Sequence, residues 1–166
     1  MIRTNFFGWG TSYRRSFSDI VTSALRAGSD LTLFRDVFYT PILVEKLALA
    51  VHDLIDLKAS GIFNVVGDER ISKYDFGFKL SEEFGLEFRH IKSGVFSDQT
   101  SLVHRPRDMS LSNHKVCNFL GRQLGDTKEH LARLHQQEKN GFAQKMKVIP
   151  SLTGPDLRWS GDETLS

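Results

Sequence analysis

The residues best equipped for chemistry lie in His104-Arg105-Pro106-Arg107-Asp108-Met109-Ser110. Two guanidiniums flank a proline whose ring stiffens the chain. A stiff loop carrying Arg forks suits a bidentate grip on phosphate oxygens. Asp108 would then either orient Arg105 or bind a ligand hydroxyl. The competing reading is a solvated loop with a local Arg–Asp pair, a common surface arrangement. Arg14-Arg15, beside Tyr13 and Trp9, poses a similar choice between an anion site and a basic loop over a helix start. Val37-Phe38-Tyr39-Thr40-Pro41 offers rings for stacking, with core packing as the alternative.

Other equipment is missing. Gly8-Trp9-Gly10-Thr11-Ser12-Tyr13 begins like a dinucleotide loop, but Tyr13 replaces the third glycine, where close helix–strand packing needs no side chain. None of Tyr13, Tyr39 and Tyr74 is followed by Lys four residues on, so no phenol has an ammonium one turn away to lower its pKa. There is no P-loop and no Gly-x-Ser-x-Gly elbow. The six His form no HExxH pair, so a metal site has no support in the sequence. The single cysteine, Cys117, excludes an internal disulfide, and its apolar helical neighbours make it a reduced core thiol. His114 is expected to face solvent.

These residues need elements to hold them. The 166 residues carry 22 Lys+Arg against 20 Asp+Glu, too even a balance to argue for nucleic acid. No apolar run approaches the ~20 residues of a membrane span, and no signal peptide is visible. A soluble cytoplasmic protein is the expectation. Ile2–Phe7 reads as a strand that needs neighbours on both sides, a first hint of the second part of a larger fold. Ser18 is expected to cap a helix that Gly28 stops. Leu31–Phe34 suggests a short strand, and Val37–Leu43 is extended or an edge. An amphipathic helix runs from about Val44 to Leu57, with Thr40-Pro41 as an alternative start. Gly61–Gly67 reads as a strand. Ser72 caps a helix ended by Gly85, and Phe88–Lys92 is a short strand followed by a loop to Ser101. Ser112 and Asp126 cap the last two helices, the first of them stopped by Gly121. Residues 148–166 hold two of the four prolines and no periodicity, so a disordered tail is expected. The alternation indicates an α/β architecture.

In order along the chain, six segments resemble the C-terminal half of an extended short-chain dehydrogenase/reductase, in its dTDP-4-dehydrorhamnose reductase-like branch. They are Arg3–Gly8, Phe17-Ser18-Asp19 with its helix, Leu33–Pro41, Ile42–Ala48, Gly61–Gly67 and Arg105–Leu111. The resemblance runs from Ile2 to about Gly141. It implies the C-terminal part of a Rossmann-type fold with a small mixed substrate-binding subdomain over residues 1–147. It further implies a nucleotide-diphosphate sugar as ligand, with Arg105 on the diphosphate and Asp108 near the ribose or supporting that Arg. Tyr39 and Thr40 match the region beside the nucleotide. Asn5 matches the turn near nicotinamide and sugar, although the family's usual position falls on Phe6.

The family's glycine-rich cofactor loop, catalytic Ser/Thr and Tyr-x-x-x-Lys have no counterpart in these residues. The expectation is therefore a substrate-binding half with no catalytic residue of its own. NAD(P) belongs to the complete enzyme and is not bound by this chain alone. A separate N-terminal cofactor-binding half is the expected partner, and no metal, nucleic acid or membrane is expected. The alternatives are a non-catalytic nucleotide-sugar binding module and a degenerate fragment of an epimerase or dehydratase.

Overall fold

A computed structural model describes residues 1–96 and 106–149. The order is β1 (Ile2–Arg3), β2 (Phe6–Phe7), α1 (Phe17–Ala27), β3 (Leu31–Phe34), β4 (Phe38–Tyr39), β5 (Ile42–Leu43), α2 (Val44–Asp56) and β6 (Phe63–Asn64). It continues with β7 (Ile71–Ser72), α3 (Lys73–Phe84), β8 (Ile91–Gly94), α4 (His114–Leu120), α5 (Thr127–Lys139) and α6 (Phe142–Lys147). The fold is mixed α/β. Among the described residues no helix is long and apolar enough to cross a membrane.

The expected first strand is broken at Thr4–Asn5 because it serves two partners. β1 pairs in parallel with β6, Ile2 opposite Phe63, whereas β2 pairs in parallel with β5, Phe6 opposite Ile42. The amides of Val65 and Ile42 donate to the carbonyls of Arg3 and Asn5, each at 2.9 Å. β3 pairs in parallel with β8, and β4 pairs antiparallel with β7. Phe7 is buried while Phe6 is 62% exposed, the two-residue alternation of a half-covered strand.

Helix starts differ from expectation where two candidates compete. Ser16, not Ser18, caps α1: its hydroxyl accepts from the Asp19 amide at 3.1 Å, and the Asp19 carboxylate accepts from the Ser16 amide at 2.9 Å. That reciprocal box needs an acid three residues on, which Ser16 has. α2 starts at Val44, directly after β5, so Thr40-Pro41 is not its cap. Asn113, not Ser112, occupies the N-cap of α4, with its amide turned to the Val66–Asp68 segment. The caps at Ser72 and Asp126 and the stops at Gly28, Gly85 and Gly121 are as expected. The short strand after α3 lies at Ile91–Gly94, later than Phe88–Lys92, and α6 was not foreseen.

Two cores hold these elements. Phe7, Val21, Leu33, Phe76, Leu80 and Leu134 join α1, β3, α3 and α5. Ile42, Leu54, Phe63, Val65, Val116 and Cys117 join α2, β6 and α4. Cys117 is thus buried and free, and His114 faces solvent, as expected. The segments meet closely at Gly67, where an added Cβ would lie 2.3 Å from the Pro41 carbonyl oxygen.

His130 is fully buried, with Nε2 2.9 Å from the Leu124 carbonyl, which accepts its proton. Its Nδ1 has no partner among the described residues. Burial lowers its pKa, so the folded chain holds it neutral while the unfolded chain binds a proton below about 6.5. Stability should therefore fall as the pH drops from 7 to 5, by up to about 1.4 kcal/mol per pH unit from this group. Denaturant titrations of the wild type and His130→Gln should show this slope in the first and its reduction in the second.

Candidate functional site

The candidate site is built on segment 106–113, which has almost no regular structure of its own. Its backbone groups are satisfied by residues from several strand ends. Alongside β4, the Phe38 amide donates to the Arg107 carbonyl at 2.7 Å, and the Met109 amide donates to the Phe38 carbonyl at 2.9 Å. Asn5, in the break between β1 and β2, donates its side-chain amide to the Met109 carbonyl at 2.9 Å. The Leu111 amide donates to the Thr40 hydroxyl at 3.1 Å. Asn64, at the end of β6, donates to the Ser112 carbonyl at 3.0 Å. The loop is therefore held alongside β4 and over the carboxyl ends of the parallel pair β1 and β6, the end of a strand pair where ligands of open α/β sheets commonly bind.

Asp108 is paired with Arg70. Arg70 donates from Nη2 and Nε to Oδ2 at 2.8 and 3.2 Å. Oδ1 accepts from the Ser110 amide and hydroxyl at 2.9 and 2.6 Å. The Arg70 guanidinium and then Ser110 hold the Asp108 pKa down to about 2. Arg70 also lies over the Phe38 ring, 3.7 Å from its centroid, so one guanidinium clamps β4 and the loop together.

The five residues expected from the sequence divide accordingly. Asn5, Thr40 and Asp108 meet on this loop. Tyr39 is buried, its ring packed near Phe17 and Phe76 at centroid distances of 6.4 and 5.9 Å. Burial pushes its phenol pKa well above the ordinary value. Arg105 lies outside the described residues. Arg107 is 61% exposed, its guanidinium 3.9 Å from Asp36. Arg15 donates to the Asp19 carbonyl at 3.2 Å, and Arg14 is exposed.

Next to the loop lies a mostly apolar pocket of about 330 Å³. Phe17, Phe34, Val37, Phe96, Pro106 and Met109 supply most of its wall, and Lys73 the charge. Phe34 and Phe96 meet edge to face at 5.3 Å. The volume is at the lower end for small-molecule sites, and apolar walls with few polar groups are their usual composition. Sequence reasoning missed Lys73 and Arg70. Lys73 looks like a solvated cap residue, and the partner of Arg70 is 38 positions away.

The Gly8-Trp9-Gly10 turn is closed by the protein's own groups. The Gly8 amide donates to the Ser18 hydroxyl at 3.3 Å and the Gly10 amide to the Asp19 carboxylate at 2.7 Å. A Cβ on Gly10 would lie 2.4 Å from the Arg14 carbonyl oxygen. Burial favours the neutral acid at Asp19, but Lys147, Ser16 and Gly10 outweigh it and lower its pKa. These N–H groups and this carboxylate do not fit a dinucleotide pyrophosphate. Among the described residues no three His, Cys, Asp or Glu side chains converge as metal ligands.

The candidate site is thus a loop and an adjoining apolar pocket on a mixed α/β protein. Residues 1–140 match the family described as the RmlD substrate binding domain, and the chain belongs to that family. It is 32% identical over 124 residues to the probable low-salt glycan biosynthesis reductase Agl14 of Haloferax volcanii, covering 75% of this chain and 41% of that protein. A hypothetical dTDP-4-dehydrorhamnose reductase from Sulfolobus tokodaii is 30% identical with a TM-score of 0.62, over 75% of this chain and 42% of that one. The dTDP-4-dehydrorhamnose reductase of Bacillus anthracis, solved with NADP, shares the fold: TM-score 0.71, 17% identity, 82% of this chain and 47% of that one. The chain spans less than half the length of these relatives.

Replacing Asp108 by Ala removes both the Arg70 clamp and the acceptor of the Ser110 amide. Hydrogen exchange at Ser110 should quicken by tenfold or more, while amides of the α3 core near Leu80 keep their protection. Unchanged exchange at Ser110 would show that Asp108 does not hold the loop.

Proposed function

We propose that this chain binds a nucleotide-diphosphate sugar and forms the substrate-holding portion of an NAD(P)-dependent reductase acting on a 4-keto-deoxysugar nucleotide. The observation that carries this reading is the apolar, ring-lined pocket whose wall continues into Pro106 and Met109 of the Arg-Pro-Arg loop. Such a pocket takes the planar base, and the adjoining loop presents guanidiniums to the diphosphate. Membership of a substrate-binding-domain family and similarity to reductases support the same assignment.

Asn5, Thr40, Asp108 and Arg70 act in this account through the loop. They fix the backbone of residues 107–111, so that Arg107 meets the anion without having to be ordered first, which lowers the entropic cost of binding; Arg105 is the second guanidinium assigned to the diphosphate. Tyr39 backs the pocket rather than lining it. Grip on base and diphosphate, remote from the sugar carbonyl, orients the keto carbon for reduction. The hydride carrier and the proton donor come from a separate cofactor-binding portion. The exposed side chains Ile2, Phe6 and Val44 mark the face that this portion covers.

Calorimetric titration with dTDP-glucose and UDP-glucose tests the reading. Saturable binding of at least one is expected. Arg105→Ala should weaken it about ten- to a hundredfold, the range for a charge-assisted hydrogen bond, with the melting temperature unchanged. No binding of either compound would contradict the assignment.

A further inference from the structure

The pocket beside the loop has one charged side chain in its wall, Lys73, the first residue of α3. Its amide donates to the Val37 carbonyl at 3.0 Å, which pins the helix start to the pocket. The side chain runs across two rings, with Nζ 3.4 Å from the Tyr39 centroid and 4.2 Å from the Phe17 centroid. Cation–π attraction fixes the position of Nζ. Tyr39 packs in turn against Phe17 and Phe76, so the platform beneath Nζ is rigid.

Other lysines of the chain are engaged by oxygen. Lys79 meets Glu69, Lys92 meets Asp30, Lys147 meets Asp19, and Lys115 donates to the Ile62 carbonyl. Among the described residues no oxygen accepts from Lys73 Nζ, whose surroundings are ring faces and the apolar pocket. Withdrawing an amine from water without a polar partner disfavours its protonated form. Burial accordingly brings the Lys73 pKa down to about 8. At pH 7 about a tenth of such amines are neutral, on the order of a hundredfold more than for an ordinary lysine. Desolvation in an apolar pocket is one of the ways in which a lysine is activated to attack carbonyl carbon.

We propose that Lys73 is a carbonyl-reactive amine, and that the pocket takes an aromatic aldehyde and joins it to Nζ as an imine. The neutral amine attacks the aldehyde carbon, forming the C–N bond while the carbonyl electron pair moves to oxygen. The carbinolamine then loses that oxygen as water, together with both protons of the amine, and leaves a C=N bond; nothing is oxidised or reduced. The pocket of about 330 Å³ has room for the ring, since a dry cavity of about 150 Å³ holds benzene. Phe34, Phe96 and Met109 supply the apolar surface for it and limit the water that would reverse the step. The reaction does not need a nucleotide sugar to bind, so this proposal and the function proposed above fail separately.

Reductive labelling of the full chain at pH 7 tests the proposal. The protein is incubated with benzaldehyde or with glyceraldehyde, cyanoborohydride reduces any imine to a stable secondary amine, and mass spectrometry of the digest gives the label at every lysine. Benzaldehyde should label Lys73 at least tenfold faster than Lys115 or any other lysine. In urea, where the pocket is lost, that preference should vanish. Glyceraldehyde is polar and gains nothing from the rings, so its preference for Lys73 should be at least threefold smaller. Even labelling of the lysines by benzaldehyde, a preference for Lys73 that persists in urea, or the same preference with glyceraldehyde overturns the proposal.

Discussion

A loop without secondary structure needs other groups to satisfy its backbone, and segment 106–113 gets them from the ends of strands. The Met109 amide meets the Phe38 carbonyl, the Met109 carbonyl meets Asn5, and the Leu111 amide meets Thr40. Each contact is a modest hydrogen bond in itself, about 1 kcal/mol net. Together they set one position for the loop relative to β4 and the β1–β2 break. The pocket wall at Pro106 and Met109 exists because of that position. So does the arrangement by which the loop and an apolar pocket share an edge.

The Arg70–Asp108 pair has a different role from the one usually given to a surface ion pair. Both side chains are about half exposed, and such pairs contribute little to stability. Here the Arg70 guanidinium also covers the Phe38 ring, and Asp108 also accepts from Ser110. Four groups from three segments are thereby tied in one geometry. The consequence is local rigidity of the loop rather than global stability. In the same way the amides of the Gly8-Trp9-Gly10 turn are used to join the first strand to the cap of α1.

Much of the fold was legible where the signal is local. The serine at position 72 and the aspartate at 126 cap helices, and glycines at 28, 85 and 121 end them, because cap chemistry depends on residues three or four apart. The break at Thr4–Asn5 was not legible, since it depends on which distant strands pair on each side. The choice of Ser16 over Ser18 turned on the reach of Asp19, a detail the apolar spacing does not encode. At the site, Asn5, Thr40 and Asp108 were found through a family pattern, and three-dimensional contacts show them holding the loop. Tyr39 was expected beside the nucleotide and is buried behind the pocket wall. Lys73 escaped notice because a lysine at the first turn of a helix has the pattern of a solvated residue; only the folded chain brings Phe17 and Tyr39 beneath it.

The central claim is that a nucleotide-diphosphate sugar sits in the pocket and against the loop of this chain. Amide chemical-shift mapping of the isotopically labelled chain during titration with UDP- or dTDP-glucose tests it most directly. The account predicts saturating shifts concentrated at Phe34, Phe38, Lys73 and Arg107–Leu111, with α5 and the Gly8–Gly10 turn unmoved. Shifts centred instead on the cleft between Trp9, Arg15 and Lys147, or no shifts at saturating ligand, would contradict it.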